Sequence, residues 1–403
     1  MVAVESVRVR QQPDFDYVVV GGSASGLRVA AVVAAGGARV QVLERRAVIG
    51  DLERSWIVTD ALNPVLGYDA GAAVVHRTGV MRVHAAGRHA DVTLPRPDLI
   101  VERARMLPLL RARAEAAGAE IRTNARVTAT VPAAGGYRVE VEGGTAPILC
   151  RHLVGADGVS SGVARALGAR PNPAVPVVQA RVRLPADMDP NLTHVWFQTR
   201  RTRFFYWLIP ESPETAVVGL IANGAGQTRG PLDTFLAEEG FQPLEYQGAM
   251  IPLHRPLRRI SWRHGRARAL LVGDAAAHVK VTTVGGLVSG LWGANAAARA
   301  LLDETSYGRE LRGLHAELHL HDLMRWALDR FTDADYGRLV DAIPGRLADA
   351  LGSHNRDSVA RAKWRILSAR PGVLLLAARA LLRSPRGNHG APRGYPLALE
   401  AGD

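Results

Sequence analysis

The sequence predicts an α/β chain, α+β overall, in which a nucleotide-binding domain is interrupted by an inserted antiparallel β-sheet and followed by a C-terminal helical cap. Three observations carry that prediction. A strand, a glycine turn and an alanine-rich helix follow Asp16; a second strand runs into Gly273-Asp274 and a long helix; short strands recur at hairpin spacing between them. The expected boundaries are 12–174 and 266–302 for the discontinuous nucleotide domain, 175–265 for the inserted sheet and 303–403 for the helices. A chain of 403 residues has room for two or three domains of about 150 residues each.

Residues 17–20 are the first β-branched run, Gly21-Gly22-Ser23-Ala24-Ser25-Gly26 the turn, and 27–35 the helix. Gly36-Gly37 stops the helix, 39–43 is the next strand, and Glu44 stands at its end with Arg45 beside it. This is a Rossmann βαβ unit whose G-x-G-x-x-G fingerprint carries Ser23 at the second glycine. Gly21 permits the tight turn, and Ser23 is small enough for the backbone to approach a pyrophosphate. Ala24 and Ser25 lie at the helix start, where free N–H groups face phosphates, and Gly26 lets the helix pack on the strand. Glu44 is placed to accept ribose hydroxyls, which favours an unphosphorylated adenosine ribose.

Residues 126–130, 137–141 and 148–154 read as a small meander leading into Gly155-Ala156-Asp157-Gly158 and a helix over 161–167. Residues 269–272 then run into Gly273-Asp274, a loop ending in Gly285-Gly286, and a helix over 287–302. In these motifs the chain resembles the geranylgeranyl reductase family of FAD-dependent oxidoreductases, within the wider fold of the flavin aromatic hydroxylases and flavin halogenases. The match runs through much of 15–302. The resemblance implies FAD as cofactor, with Asp157 by the pyrophosphate and Asp274 on the ribitol. It places Gly285, Gly286 and Leu287 against the isoalloxazine, whose electron-rich edge a helix amino terminus stabilises when reduced. Arg103 matches the family arginine that reaches the cofactor, and Val127 the position whose backbone meets the adenine. No second βαβ fingerprint exists for a nicotinamide domain, so NAD(P)H is expected as a transient electron donor.

Strands are expected at 175–184, 193–200, 203–210, 214–222 and 246–252. Residues 204–210 are similar to the family's aromatic-x-Trp-x-apolar-Pro motif, which implies that Phe205 and Trp207 wall a substrate cavity; strand alternation sends Tyr206 to the other face. Halogenases need an active-site lysine in the flavin domain, and no lysine precedes Lys280. Val281, Val288 and Gly293 stand where aromatic hydroxylases usually show Pro, Asn and Asp. The chain also departs from the reductases. It lacks a Cys-Gly-Gly stretch across 50–55 and carries valine at 281 and 284, where proline and glycine are usual.

His278 and Lys280 leave the Gly-Asp loop next to the expected flavin and are the candidates for donating a proton or orienting substrate. His315 and His319 have a metal-compatible spacing but no third ligand in view, so they are read as a solvated helical face and no metal is expected. A single cysteine, Cys150, excludes an intramolecular disulfide. With no signal-like stretch in residues 1–16, a cytoplasmic setting is expected. The most lipophilic segment, 373–382, is about half the ~20 residues that span a bilayer; it reads as a helix closing a hydrophobic mouth in preference to one lying in a membrane interface.

The net charge is +12, and Lys280 and Lys363 are the only lysines beside 48 arginines. Arginines clustered at 200–203 and 255–268 attract an anionic or carrier-bound substrate, and no nucleic-acid motif accompanies them. The expected activity is FAD-dependent redox chemistry on a hydrophobic small molecule, by alkene reduction or dehydrogenation. The alternatives are a monooxygenase using NAD(P)H and O2, and a flavin-binding protein without catalysis.

Overall fold

The computed structural model describes residues 12–51, 54–224, 228–352, 356–357, 359 and 371–383. The chain opens with β1 (Phe15–Val20), α1 (Ala24–Ala35) and β2 (Val40–Leu43). Next come β3 (Ser55–Val58), α2 (Leu62–Leu66), β4 (Val74–Ala85), β5 (Arg88–Glu102), α3 (Arg103–Ala116) and β6 (Glu120–Arg122). The meander β7 (Val127–Ala133), β8 (Gly136–Val141) and β9 (Ile148–Gly155) precedes α4 (Gly162–Ala166). Strands β10 (Ala174–Arg183), β11 (Leu192–Phe197), β12 (Tyr206–Pro210) and β13 (Thr215–Ile221) lead through α5 (Arg229–Glu238) to β14 (Pro243–Pro252). Strands β15 (Ser261–His264) and β16 (Ala267–Leu271) return the chain to α6 (Leu287–Leu302). Five helices follow among the described residues: α7 (Tyr307–Glu310), α8 (Arg312–Leu328), α9 (Asp333–Ala342), α10 (Arg346–Gly352) and α11 (Pro371–Leu381).

The first sheet has the order β15-β16-β9-β1-β2-β6, with β8 and β7 attached beside β9. Strands β16, β9, β1, β2 and β6 run parallel, and β1 lies between β9 and β2. The strand order therefore reverses at β1, which is where open α/β sheets leave a crevice at the carboxyl end. Covered on both faces, β1 is apolar throughout its second half. Val19 packs with Val29, Val33 and Leu301 under α1 and α6, while Val18 and Val20 pack with Leu153, Val163 and Leu271 under the meander.

The second sheet has the order β14-β10-β13-β12-β11-β4-β5-β3. Five of its strands come from the segment after Arg170. Three come from 55–102, for which sequence reasoning named no strand. The two contributions meet at β11 and β4, which pair in parallel, whereas the remaining neighbours are antiparallel. Strand β12 starts at Tyr206, so Phe204 and Phe205 lie in the approach to the strand and not in it. The sheet curls until its two ends touch, Arg54 donating to the Gly248 carbonyl at 2.8 Å and Ser55 to Glu211.

The pleat sorts this sheet's side chains into two layers. Tyr206, Leu208, Val218 and Leu220 pack on Phe235 of α5. On the other face Trp207, Val177 and Ile221 pack against Val279, Val281 and Val284 of the loop before α6. Gly219 makes room for the indole, since a Cβ there would stand 2.3 Å from Trp207 Cζ2. Gly219→Ala is expected to lower stability by about 1–3 kcal/mol through overpacking, read as a lower urea midpoint with unchanged slope.

Helices α9 to α11 cover the β4–β5 hairpin, with Tyr336, Val340, Leu347, Leu376 and Ala380 packed on Val83 and Val92. Helix α11 thus caps with one face, while Leu375 and Leu382 point outward at 62% and 90% exposure. Much of the expected C-terminal region, including 360–370 and 384–403, lies outside the described residues. No described helix is long and apolar enough to cross a membrane.

The histidines of α8 differ from the solvated face expected of them. Only His319 is exposed. His315 is half-buried, its ring 6.0 Å from His319 and 6.4 Å from His254, and burial lowers its pKa to about 4. The cause is long-range: His254, at the end of β14, is anchored to Asp322 of α8 at 2.7 Å. Among the described residues no group of three or more His, Cys, Asp or Glu is arranged to hold a metal.

Candidate functional site

The amino terminus of α1 sits at the carboxyl end of β1, at the strand-order reversal. Gly21 takes φ +107, and a Cβ there would meet the Ala156 carbonyl at 2.5 Å, so the Gly-Ala-Asp-Gly loop rests directly on the glycine turn. Ser23 is the N-cap, its hydroxyl accepting from the Gly26 amide at 3.2 Å, which leaves its proton free to donate. Ser25 is buried and fills the space left by Gly273 and Gly290, locking α1 against α6. Asp157 accepts from Ser161 Oγ at 2.5 Å and from the Val163 amide at 3.1 Å, so it holds the start of α4.

Glu44 turns back over this turn. Its carboxylate accepts from the Gly22 amide at 2.7 Å and the Arg46 amide at 2.9 Å, while its backbone pairs with Arg122 and Ala125. Val127, two residues after Ala125, is the first residue of β7. Arg45 is exposed.

Asp274 and Arg103 complete the crevice. Asp274 is exposed to it yet enclosed by protein, and that desolvation lifts its carboxyl to about 6 against the opposing pull of Arg103. Among the described residues nothing donates a hydrogen bond to this carboxylate. A Cβ at Gly286 would stand 3.3 Å from Asp274 Oδ1, so the N-cap glycine of α6 borders it. Burial lowers the Arg103 pKa, as does Arg46, while Asp51, Glu44 and Asp274 raise it. The arginine is therefore within electrostatic reach of both carboxylates of the crevice. Arg54 adds a second half-buried cation whose pKa burial and Arg103 depress.

This arrangement fits FAD. Carboxylates at the two ends suit ribose and ribitol hydroxyls, the arginines and the α1 amino terminus suit the pyrophosphate between them, and Gly22 and Gly286 keep the walls free of side chains. Leu287 begins α6, where a helix amino terminus faces the crevice.

The two catalytic candidates sit within the loop between Asp274 and Gly286, and both are buried. His278 is 1% exposed, with no hydrogen-bond partner for either ring nitrogen among the described residues; a Cβ at Gly293 would stand 2.0 Å from its Nδ1. Burial, with His315, His254 and Arg258 nearby, lowers its pKa to about 3, so it is a neutral ring packed into α6. Lys280 pairs with Asp357, a residue of the C-terminal region. Phe205 and Trp207 are 6.0 Å apart edge to face, and Phe197 and Tyr336 continue the row of rings toward the cap.

Sequence reasoning missed Arg54, Thr59, Asp98, Asp357 and the Ser55–Glu211–Arg181 cluster. None belongs to a local motif. Arg54 alone had a signal, a cation in the segment after the ribose-binding glutamate.

Residues 14–306 match the FAD binding domain family. The chain is 28% identical over 304 residues to digeranylgeranylglycerophospholipid reductase 2 of Methanothermobacter thermautotrophicus, covering 68% of this chain and 74% of that one. It is 30% identical over 302 residues to digeranylgeranylglycerophospholipid reductase 1 of Methanopyrus kandleri, covering 69% and 78%. A geranylgeranyl bacteriochlorophyll reductase-like structure from Thermoplasma acidophilum superposes with a TM-score of 0.77 at 18% identity, over 91% of this chain and 99% of that one. The chain therefore belongs to the FAD-binding family that includes the geranylgeranyl-type reductases, and it is an FAD-dependent oxidoreductase.

Proposed function

We propose that this protein reduces carbon–carbon double bonds in the isoprenoid chain of an amphipathic lipid, with NAD(P)H as transient electron donor. The observation behind the reading is the apolar cluster of Trp207, Val177 and Ile221, with Phe205 at its margin, packed on the 279–284 loop, whose Val279 borders Gly286 beside Asp274. Relatives named as reductases of digeranylgeranyl lipids support the same substrate class.

Bound FAD supplies hydride transfer in either direction. The chain's own residues do the rest. Phe205, with Trp207 behind it, offers an apolar chain a wall of aromatic surface, and the proton that accompanies each hydride comes from solvent. Asp274, Glu44 and Arg103 hold the cofactor, and His278 supports α6 as a packed neutral ring. The outward Leu375 of α11 and Leu382 just beyond it, with exposed Arg379, suit contact with a lipid surface from which such a substrate is drawn.

The test is anaerobic. Protein whose flavin has been reduced is mixed with a geranylgeranyl lipid, and the oxidised flavin absorption is expected to return without oxygen. Return only on admitting oxygen, with none on adding lipid, contradicts the reading. Trp207→Ala is expected to raise KM for the lipid by about tenfold, as loss of a buried aromatic contact of roughly 1.5 kcal/mol or more would.

A further inference from the structure

Residues 280–285 close a tight hairpin before α6. The Lys280 amide donates to the Gly285 carbonyl at 3.2 Å, and the Val284 amide to the Lys280 carbonyl at 2.7 Å. Val284 takes φ +54, a left-handed backbone that a β-branched residue keeps only where its surroundings over-determine it. Something must therefore hold this hairpin.

The Lys280 ammonium is 6% exposed; it pairs with Asp357 Oδ1 and reaches the Arg356 carbonyl at 3.5 Å. Asp357, 2% exposed, also accepts from Thr59 Oγ1 at 2.6 Å, just beyond β3. Its neighbour Arg356 pairs with Asp98 of β5 at 2.6 Å. One short stretch of the C-terminal region thus grips the loop before α6, the end of β3 and the middle of β5. Lys280 stands beside Gly285 as well, since a Cβ on that glycine would lie 3.6 Å from Lys280 Cε.

We propose that Lys280 is a positioning residue: through Asp357 it fastens the 280–285 hairpin to the C-terminal region, so that the wall of the cofactor crevice is set by the cap. Its ammonium is engaged by a carboxylate and a carbonyl, an arrangement that orients a loop. The valines at 281 and 284 are tolerated because this clasp, in place of proline and glycine, defines the turn.

The experiment compares FAD-loaded variants by flavin fluorescence titration, kcat and KM. Lys280→Met and Asp357→Asn are each expected to weaken FAD binding by roughly tenfold to hundredfold, the double variant no further than the worse single, and Lys280→Arg by at most about threefold, since misplacement of about 1 Å costs of that order. Either single change strands a buried charge and can unfold the chain. The apolar pair Lys280→Met with Asp357→Leu covers that case: it should melt near the wild-type temperature yet still bind FAD weakly. Two results would overturn the proposal. One is an apolar pair that binds FAD as wild type does. The other is a Lys280→Arg variant that binds FAD fully but has lost turnover while Asp357→Asn is unaffected, which would make Lys280 act directly on the reacting atoms.

Discussion

Asp274→Asn is expected to weaken FAD binding by about tenfold to hundredfold, the loss of charge-assisted hydrogen bonds worth about 1.5–3 kcal/mol. It should also remove a pH dependence. Enclosure lifts the Asp274 carboxyl from 3.8 to about 6 in the protein without cofactor. Ribitol hydroxyls donate to the ionised form. Affinity is therefore full above about pH 6 and falls by about tenfold for each unit below it, where a proton must first be lost. The sign is opposite for the protein alone. A raised acid pKa means that the folded chain disfavours the anion, so its stability declines as pH rises from 3.8 to about 6 and is level above. FAD titrations between pH 5 and 8 on wild type and Asp274→Asn check both: a sloping limb for the first, a flat line for the second. Equal slopes would place the titrating group elsewhere.

Gly26→Ala is expected to yield protein that no longer retains FAD and melts well below wild type. The added Cβ would stand 2.3 Å from the Gly21 carbonyl and 2.9 Å from Ala156 Cβ. Neither can move aside, because the first is the nucleotide turn and the second supports it from the loop just after β9. Relief requires lifting α1 off β1, which costs roughly 1–3 kcal/mol or more and carries the helix amino terminus away from the phosphates. Gly230→Ala is the control. Nothing lies within 4 Å of its Cβ, its backbone is not left-handed, and it sits in the first turn of α5 ahead of Pro231, so unchanged FAD retention and a stability change of no more than about 1 kcal/mol are expected. Differential scanning fluorimetry with and without FAD separates the two.

The nucleotide half of the site was legible because its chemistry is local. Gly21, Ser23, Gly26 and Glu44 follow one another along a single βαβ unit, and backbone geometry dictates their residue types. Asp274 is equally readable, standing where a buried strand breaks into a helix. Strands β4 and β5 were passed over although 81–85 and 90–94 alternate apolar and polar residues; Pro95 and Pro97 are what argues locally against a strand there. Those strands are held from outside the local sequence, by β11 on one side and by the cap helices on their face. The same reason hides the role of Lys280. Its partner Asp357 is far along the chain, and only tertiary packing brings a carboxylate to an ammonium that local sequence leaves pointing at the flavin.

The most direct test of the account is the product itself. Purified protein with FAD and NAD(P)H, incubated under argon with a geranylgeranyl lipid, is analysed by mass spectrometry. The account predicts a lipid heavier by two hydrogens for each double bond reduced, formed under argon with no need for oxygen, and a parallel incubation in air gives no other product. A lipid heavier by one oxygen atom, formed only in air, would contradict it and make the protein an oxygenase on the same scaffold.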